Sequence, residues 1–441
     1  MNYEECLSYL EKVQNSGIKF GLDNVKTILA SFYNPHKKYD SLLVAGSNGK
    51  GSVCAMLTQI LTSHGFRTGL FTSPHLVKAE ERIRIGTSLI PRRGFCRILT
   101  LLKERIEDLI ALKKLLSPPT YFELMSCLAF LYFKEQRVDM AVLEVGMGGR
   151  FDATNVVNPS VSIITTISFE HQKFLGERLS QIASEKAGII KRGVPVICGV
   201  EKAGAYNTIR EIAEELKAPF YGVFKNKRCF HAEKTEKGYS FIYKTDEEEY
   251  RFSLSLPGEH QGRNAAVAIA ASERLKKNWR RLEKQKIIDG VEKTKWEGRL
   301  EVISHHPLVI LDGAHNEEGA LALKKYFKDF PSSNLILVFA IMRDKKIDKV
   351  AQILFPLANK VILTRFPYYR AASPGDIKKE AMSFQDRILI EPDTKRALNM
   401  ALRLAGSQGS VLVTGSLFLV GEIKKIESYA KMFPMRPLLL F

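Results

Sequence analysis

The chain has 441 residues, 45% hydrophobic and 26% charged, a length and composition that fit two or three folded domains and exclude a disordered chain. Its formal net charge of +18 points to polyanionic partners, a demand that nucleic acid or phosphorylated small molecules would both meet. No apolar run reaches the ~18 residues of a membrane span, and Met1–Cys6 carries neither a basic nor an apolar leader, so the cytoplasm is the expected compartment. The cysteines, at positions 6, 54, 96, 127, 198 and 229, are dispersed without a CxxC pair and are expected to be reduced and buried.

In chain order, Leu42–Ala45 reads as a buried strand that runs into the glycine-rich stretch Gly46-Ser47-Asn48-Gly49-Lys50-Gly51-Ser52. The segment after Lys50 has helical spacing, with Val53, Met56, Leu57, Ile60 and Leu61 on one face and Gly65 as its cap. Strands are expected at Gly69–Phe71, Met140–Leu143, Val161–Ile167 and Val194–Cys198. Residues 226–256, with alternation such as Tyr239-Ser240-Phe241-Ile242-Tyr243, read as a small antiparallel appendage. The densest basic stretch, Lys276-Lys277-Asn278-Trp279-Arg280-Arg281, reads as a solvated helix surface, because no groove-reading or stacking motif accompanies it.

From Pro307 the α/β alternation restarts. Strands are expected at Leu308–Leu311, Asn334–Phe339, Lys360–Leu363, Arg387–Ile390 and Ser410–Val413, with helices such as Glu317–Phe327 and Pro374–Met382 between them. The charged stretch Lys293–Gly298 is the expected boundary, which gives a P-loop-containing α/β ATPase domain over 1–296 and a smaller Rossmann-like α/β domain over 297–441.

Four constellations carry chemistry. The strand–loop–helix around Gly46–Ser52 suits ATP: small residues turn backbone N–H groups inward, the helix start adds its dipole, and Lys50 reaches the β/γ-phosphates. It departs from G-x-x-x-x-G-K-[ST], since Val44 stands at the first glycine and Gly51 separates Lys50 from Ser52. Glu144 ends the strand from Met140 and precedes Gly146, Gly148 and Gly149, a position for a Mg²⁺ ligand or water positioner, with a solvated strand-end carboxylate as the plain alternative. His171 follows the strand from Val161, and taken alone a histidine there is more often structural than a ligand. Lys186 falls on the apolar face formed by Leu179, Ile182, Ala183 and Ala187, so it must be paired, snorkelled or chemically changed.

Taken together, Gly46–Ser52, Thr72-Ser73-Pro74-His75-Leu76, Glu81–Ile85, Leu143–Arg150, Asp152–Asn155, Glu185–Lys191, Gly258–Gln261, Arg263–Ala266, Asp312–Asn316 and Thr414–Leu417 resemble the folylpolyglutamate synthase and dihydrofolate synthase branch of the Mur ligase superfamily. The match runs in order over nearly the whole chain, and Thr-Ser-Pro-His-Leu argues against a UDP-muramoyl peptide ligase. The resemblance implies a two-domain enzyme that closes over ATP, activates a carboxylate of folate or dihydropteroate as an acyl phosphate, and lets the amine of L-glutamate attack it. Lys50 and Ser52 would hold the phosphates and a first Mg²⁺, Glu144 would bridge the metal sites, and Ser73, His171 and a carboxylated Lys186 would serve a second Mg²⁺. Asn264, Arg299, Asp312 and His315 would grip the nucleotide from across the cleft, and Thr120, Phe122 and Asp152 would contact the pterin. The family's Asp-His is here Glu170-His171, followed by Gln172-Lys173, and its segment before Asp-Lys is here Ile341-Met342-Arg343. A monomer without nucleic-acid or membrane partners is implied, and a P-loop nucleic-acid-binding ATPase is the alternative that the positive charge alone supports.

Overall fold

A computed structural model of the protein describes residues 1–14, 21–115, 117–225, 229–236, 238–276, 279, 282–332 and 334–432. Its first strands are β1 Asp40–Ala45, β2 Thr68–Phe71, β3 Ile83–Ile85, β4 Ser88–Leu89, β5 Met140–Glu144, β6 Val161–Ile164, β7 Val196–Cys198 and β8 Phe220–Gly222. Among the described residues these form one sheet in the order β4-β3-β2-β5-β1-β6-β7-β8, parallel except for the β2–β3–β4 edge. The central strand β1 lies between β5 and β6, so the chain leaving its carboxyl end enters the crevice where strand order reverses.

The pleat of β1 decides how the layers are built. Leu43 and Ala45 join a core shared with helices Tyr3–Gln14, Arg92–Ala111 and Tyr121–Glu135, whereas Leu42 and Val44 join a core shared with helices Lys50–Ser63, Glu259–Lys276 and Lys284–Glu292. With both faces covered, the strand reads as a continuous apolar run. Helix Lys50–Ser63 ends as expected at Gly65, whose φ of +79° accompanies Phe66 N–H to Leu61 C=O and Gly65 N–H to Thr62 C=O bonds, a Schellman closure.

The second domain is built on a six-stranded sheet of β12 Glu301–His305, β13 Leu308–Leu311, β14 Leu335–Phe339, β15 Lys360–Leu363, β16 Ile388–Ile390 and β17 Ser410–Thr414. Its order is β12-β13-β17-β14-β15-β16, parallel apart from the β12 edge, and helices such as Glu317–Asp329 cover it. The molecule is thus a two-domain α/β protein, with each domain built on its own mostly parallel sheet.

Several expectations are adjusted. Val161–Ile167 pairs as a strand only to Ile164, because beyond it the neighbouring chain has become the glycine loop, and Thr165 and Thr166 bond that loop instead. The helix expected over Pro374–Met382 stops at Glu380, and Met382, exposed, begins a 3₁₀ turn. Cys6, Cys54, Cys127 and Cys198 are buried, but Cys96 is half-buried and Cys229 is exposed on an edge strand. Of the basic stretch Lys276–Arg281, only Lys276 and Trp279 fall within the described residues; the rest of that reading lies outside them. No helix among the described residues is long and apolar enough to cross a membrane.

Within 226–256, of which 226–228 lie outside the described residues, β9 Cys229–Thr235, β10 Gly238–Lys244 and β11 Glu249–Ser253 form an antiparallel sheet in the order β11-β10-β9. Alternation puts Tyr239, Phe241, Tyr243, Tyr250 and Phe252 on its buried face. The Phe241 ring lies so close over Gly262 of helix Glu259–Lys276 that an added Cβ would stand 2.2 Å from it. Gly262→Ala is therefore expected to destabilise the protein by about 1–2 kcal/mol net of its better helix propensity. Denaturant unfolding checks this, and an unchanged midpoint would mean that Phe241 is not seated there.

Candidate active site

The loop after β1 is shaped by its neighbours. Ser47 N–H donates to Thr166 C=O at 2.8 Å and Asn48 N–H to Thr166 Oγ1 at 3.0 Å, while Thr165 Oγ1 donates to Asn48 C=O at 2.6 Å. Ser47 Oγ accepts from Ser168 N–H at 2.9 Å. Gly49 has φ of +82° and faces Asn264, whose Oδ1 would lie 2.2 Å from a Cβ there, so this residue must be glycine for both conformation and space. Helix Lys50–Ser63 starts directly after it, with its first amides turned toward the loop.

Two ammonium groups converge on one carbonyl. Lys50 Nζ and Lys186 Nζ each donate to Gly46 C=O at 2.9 Å. Lys186 is fully buried in helix Leu179–Ala187, and its partner is Glu170, at 2.6 Å and nearly as buried. Burial pushes the Lys186 ammonium below the usual lysine range, Glu170 pulls it back up, and Lys50 presses it down again. Burial disfavours the Glu170 carboxylate too, but Lys186 and Lys50 outweigh it and bring its pKa down to about 2. Of the readings open for Lys186, snorkelling is excluded: only 2% of its side chain is exposed.

Glu144 is buried rather than a solvated strand end, and its Oε2 accepts from Ser73 N–H at 2.9 Å. Burial raises its carboxyl above the ordinary range against the opposing pull of Lys50. Ser52 Oγ is buried and has no hydrogen-bond partner among the described residues. A small cavity is lined by Gly51, Ser73, Glu144, Trp296 and Arg299, so residues from both sides of the expected boundary meet beside the loop. Gly51, the residue outside the standard pattern, faces Trp296 Nε1 and Glu144 Oε2.

The second domain supplies the opposite wall. Asp312 accepts from Leu300 N–H at 2.9 Å and Ala314 N–H at 2.8 Å, which binds the two turns carrying Arg299 and His315 together. Burial, with Lys345 nearby, lowers the pKa of both His315 and His171 to about 4, so both are neutral imidazoles. His315 Nδ1 lies 2.8 Å from Gly313 C=O and must donate to it, which leaves Nε2 as an acceptor. Thr120, Phe122 and Asp152 sit behind the Glu144 turn. Thr120 caps helix Tyr121–Glu135 in a reciprocal box with Glu123. Phe122 packs on Gly146, and Asp152 accepts from Gly146 N–H and Met147 N–H at 2.9 and 3.0 Å. Asp152 is thus engaged in bracing the turn, and Thr120 in capping its own helix.

Other contributors were not singled out from the sequence. Thr165 and Thr166 hold the loop's backbone, Glu170 neutralises Lys186, and Lys345 brings a nearly buried cation from the second domain toward Glu170 and Lys50. Asn316 and Glu318 reach Asn48 across the cleft. Loop-end threonines and a helix-start glutamate have no distinctive spacing, so only the extra length of Glu170 beside His171 offered a signal.

Comparison with known proteins agrees with this arrangement. Residues 44–272 match the Mur ligase middle domain and residues 298–417 match the Mur ligase glutamate ligase domain. A dihydrofolate synthase/folylpolyglutamate synthase of Bacillus subtilis is 36% identical over 96% of this chain and 98% of its own length. The crystal structure of folylpolyglutamate synthase from Thermotoga maritima is similar with a TM-score of 0.83 at 32% identity, covering 98% of both chains. Escherichia coli FolC in complex with DHPP and ADP is similar with a TM-score of 0.85 at 27% identity, covering 98% of this chain and 99% of that one. With both Mur ligase domains matched in order along the chain and a relative 36% identical over nearly the whole length, this protein belongs to the Mur ligase family, in its folylpolyglutamate synthase/dihydrofolate synthase branch.

Proposed function

We propose that the protein joins L-glutamate to a carboxylate of folate, of dihydropteroate, or of both, at the expense of ATP, releasing ADP and phosphate. The observation that carries this reading is the convergence of Lys50 and Lys186 on Gly46 beside buried Glu144 and the partnerless Ser52 Oγ, with Arg299 and His315 facing them. Such a pocket is matched to a polyphosphate rather than to a neutral ligand. The ADP and DHPP of the Escherichia coli complex support the same substrates for this chain.

In the proposed reaction a substrate carboxylate oxygen attacks the γ-phosphorus of ATP, and ADP departs. The glutamate amine then attacks the acyl carbon of the acyl phosphate, and phosphate leaves as the amide forms. Lys50 and the loop amides hold the β/γ-phosphates, and Arg299 offsets charge as it moves onto the leaving oxygen. Asn264, Asp312 and His315 fix the nucleotide from the facing elements, and Thr120, Phe122 and Asp152 brace the pterin side. Closure of the second domain excludes water, which would otherwise hydrolyse the acyl phosphate. Residues 1–296 act as the ATP-binding domain and 297–441 as the ligase domain.

The residues fit Mg²⁺. Ser52 Oγ and Glu144 are hard oxygen donors, and Ser52 Oγ is buried with no hydrogen-bond partner among the described residues. Bound there, the ion would neutralise phosphate charge; a second would be held by Ser73, His171 and Lys186. For that role Lys186 would be carboxylated on Nζ, its amine adding CO₂ and losing a proton; burial, which disfavours the ammonium, favours the amine form that this addition needs. The six free cysteines support a reducing compartment, the cytoplasm, and the enzyme acts there as a monomer on small molecules, without nucleic acid or membrane.

Phosphate release with ATP, Mg²⁺ and glutamate, offering dihydropteroate and tetrahydrofolate separately, tests the assignment. Turnover with at least one is expected; turnover with neither, together with salt-dependent binding to DNA or RNA, would replace it with the nucleic-acid ATPase reading. Lys186→Ala is expected to lose at least about a hundredfold in kcat, as when one preorganised electrostatic group is removed, and to recover part of it with added acetate. Wild-type turnover in that variant would remove lysine carboxylation from the mechanism.

A further inference from the structure

Helix Glu317–Asp329 of the second domain touches the first domain at both of its ends. At its start, Asn48 Nδ2 donates to Glu318 Oε2 at 2.6 Å, and Asn316 Nδ2 donates to Asn48 Oδ1 at 2.9 Å. Both ends of the Asn48 side-chain amide are thereby held from across the cleft. Asn316 is itself the helix N-cap, its Oδ1 accepting from Gly319 N–H at 2.9 Å, so its amide is aimed by the helix backbone. At the far end, Asp329 accepts from the Tyr239 hydroxyl and pairs with Lys325 at 2.9 Å, while Lys325 also lies 3.8 Å from Glu259. Phe330 meets the Tyr239 ring edge-on at 5.5 Å, and Lys234 lies over Phe330 at 5.2 Å. Tyr239 and Lys234 belong to the three-stranded appendage.

The contacts close a ring. The appendage is seated through Phe241 on helix Glu259–Lys276, and Asn264 of that helix packs against Gly49 of the phosphate loop. One helix of thirteen residues, about 20 Å long, therefore connects the loop to the appendage, and a second helix brings the connection back. A helix with both ends hydrogen-bonded transmits displacement as a rigid rod, whereas a loop would absorb it.

We infer that helix Glu317–Asp329 is a lever with its far anchor on the appendage, and that Tyr239 acts through Asp329 and Asn316 to hold Asn48, and with it the phosphate loop, in the nucleotide-binding shape. Asn316 and Tyr239 are positioning residues. The inference rests on the nucleotide site proposed above but not on the identity of the acceptor substrate.

The test is a double-mutant cycle read in ADP affinity by calorimetry, using the full chain. Asn316→Ala is expected to weaken ADP binding about tenfold and Tyr239→Phe about threefold, with the double variant no weaker than about tenfold because the same connection is already broken. Residues at opposite ends of a three-turn helix lie beyond the ~7–10 Å at which independent effects simply add, so a product of about thirtyfold would overturn the lever. So would wild-type ADP affinity in Tyr239→Phe. If Tyr239→Phe lowers the unfolding midpoint, Asp329→Asn repeats the cycle from the other partner, and the same non-additivity is expected. KM for glutamate should stay near wild type in all of them, and a parallel rise in KM for ATP and glutamate would mean a general structural defect instead. ADP binding without any glutamate ligation would defeat the ligase reading and leave this cycle interpretable.

Discussion

Everything around the active site is arranged by one electrostatic constraint: two lysine ammonium groups share the carbonyl of Gly46 inside the protein. Like charges this close repel unless anions answer them, most of all at Lys186, which is fully buried where Lys50 is only half-buried. In this structure Glu170 answers one of them, at 2.6 Å from Lys186. The other belongs to Lys50, which under the reading proposed above meets the substrate phosphates. The site thus carries unbalanced positive charge where a polyphosphate would enter, and the large positive charge of the whole chain extends that attraction outward.

The fold makes this arrangement affordable by distributing its parts over rigid elements. Lys50 opens a helix, Glu144 closes β5, and Lys186 projects from a helix whose apolar side is packed in the core. The loop that joins them is held less by its own residues than by Thr165 and Thr166, which continue β6 beyond its last paired residue. The second domain adds Arg299, His315 and Lys345 on the facing side. Neutral histidines suit this setting, because burial among cations disfavours a further positive charge.

The appendage illustrates how a segment without a motif acquires a place in this scheme. Its alternating aromatics identified a half-buried antiparallel sheet, but what lay against the buried face was not readable from the alternation. That face packs on the helix carrying Asn264, and Tyr239 of its central strand reaches the far end of the helix that Asn316 caps. Charge-bearing positions such as Glu318 and Asp329 look like ordinary solvated helix residues until the two domains are brought together.

Strand–loop–helix order, the apolar faces and the family motifs were legible in the sequence, because each depends on residues near one another in the chain: hydrophobic period, glycine at positive φ, a cap after the last turn. Lys186 was legible as an anomaly for the same reason, since helical spacing alone put it on the apolar side. Its partner was not. Glu170 and Lys186 lie on different elements, and only the packing of helix Leu179–Ala187 beneath the loop brings both to Gly46. Thr120 and Asp152 were singled out for a ligand, yet their side chains bond their own turns, a local competition that residue type does not reveal. Chain-local pattern was enough to place a glycine loop between strand and helix, a glutamate at a strand end and a lysine on an apolar helix face. Tertiary structure alone decided which charges face each other and that Asn48 is held from the second domain, because Coulomb and hydrogen-bond energies depend on distance in space and not on separation along the chain.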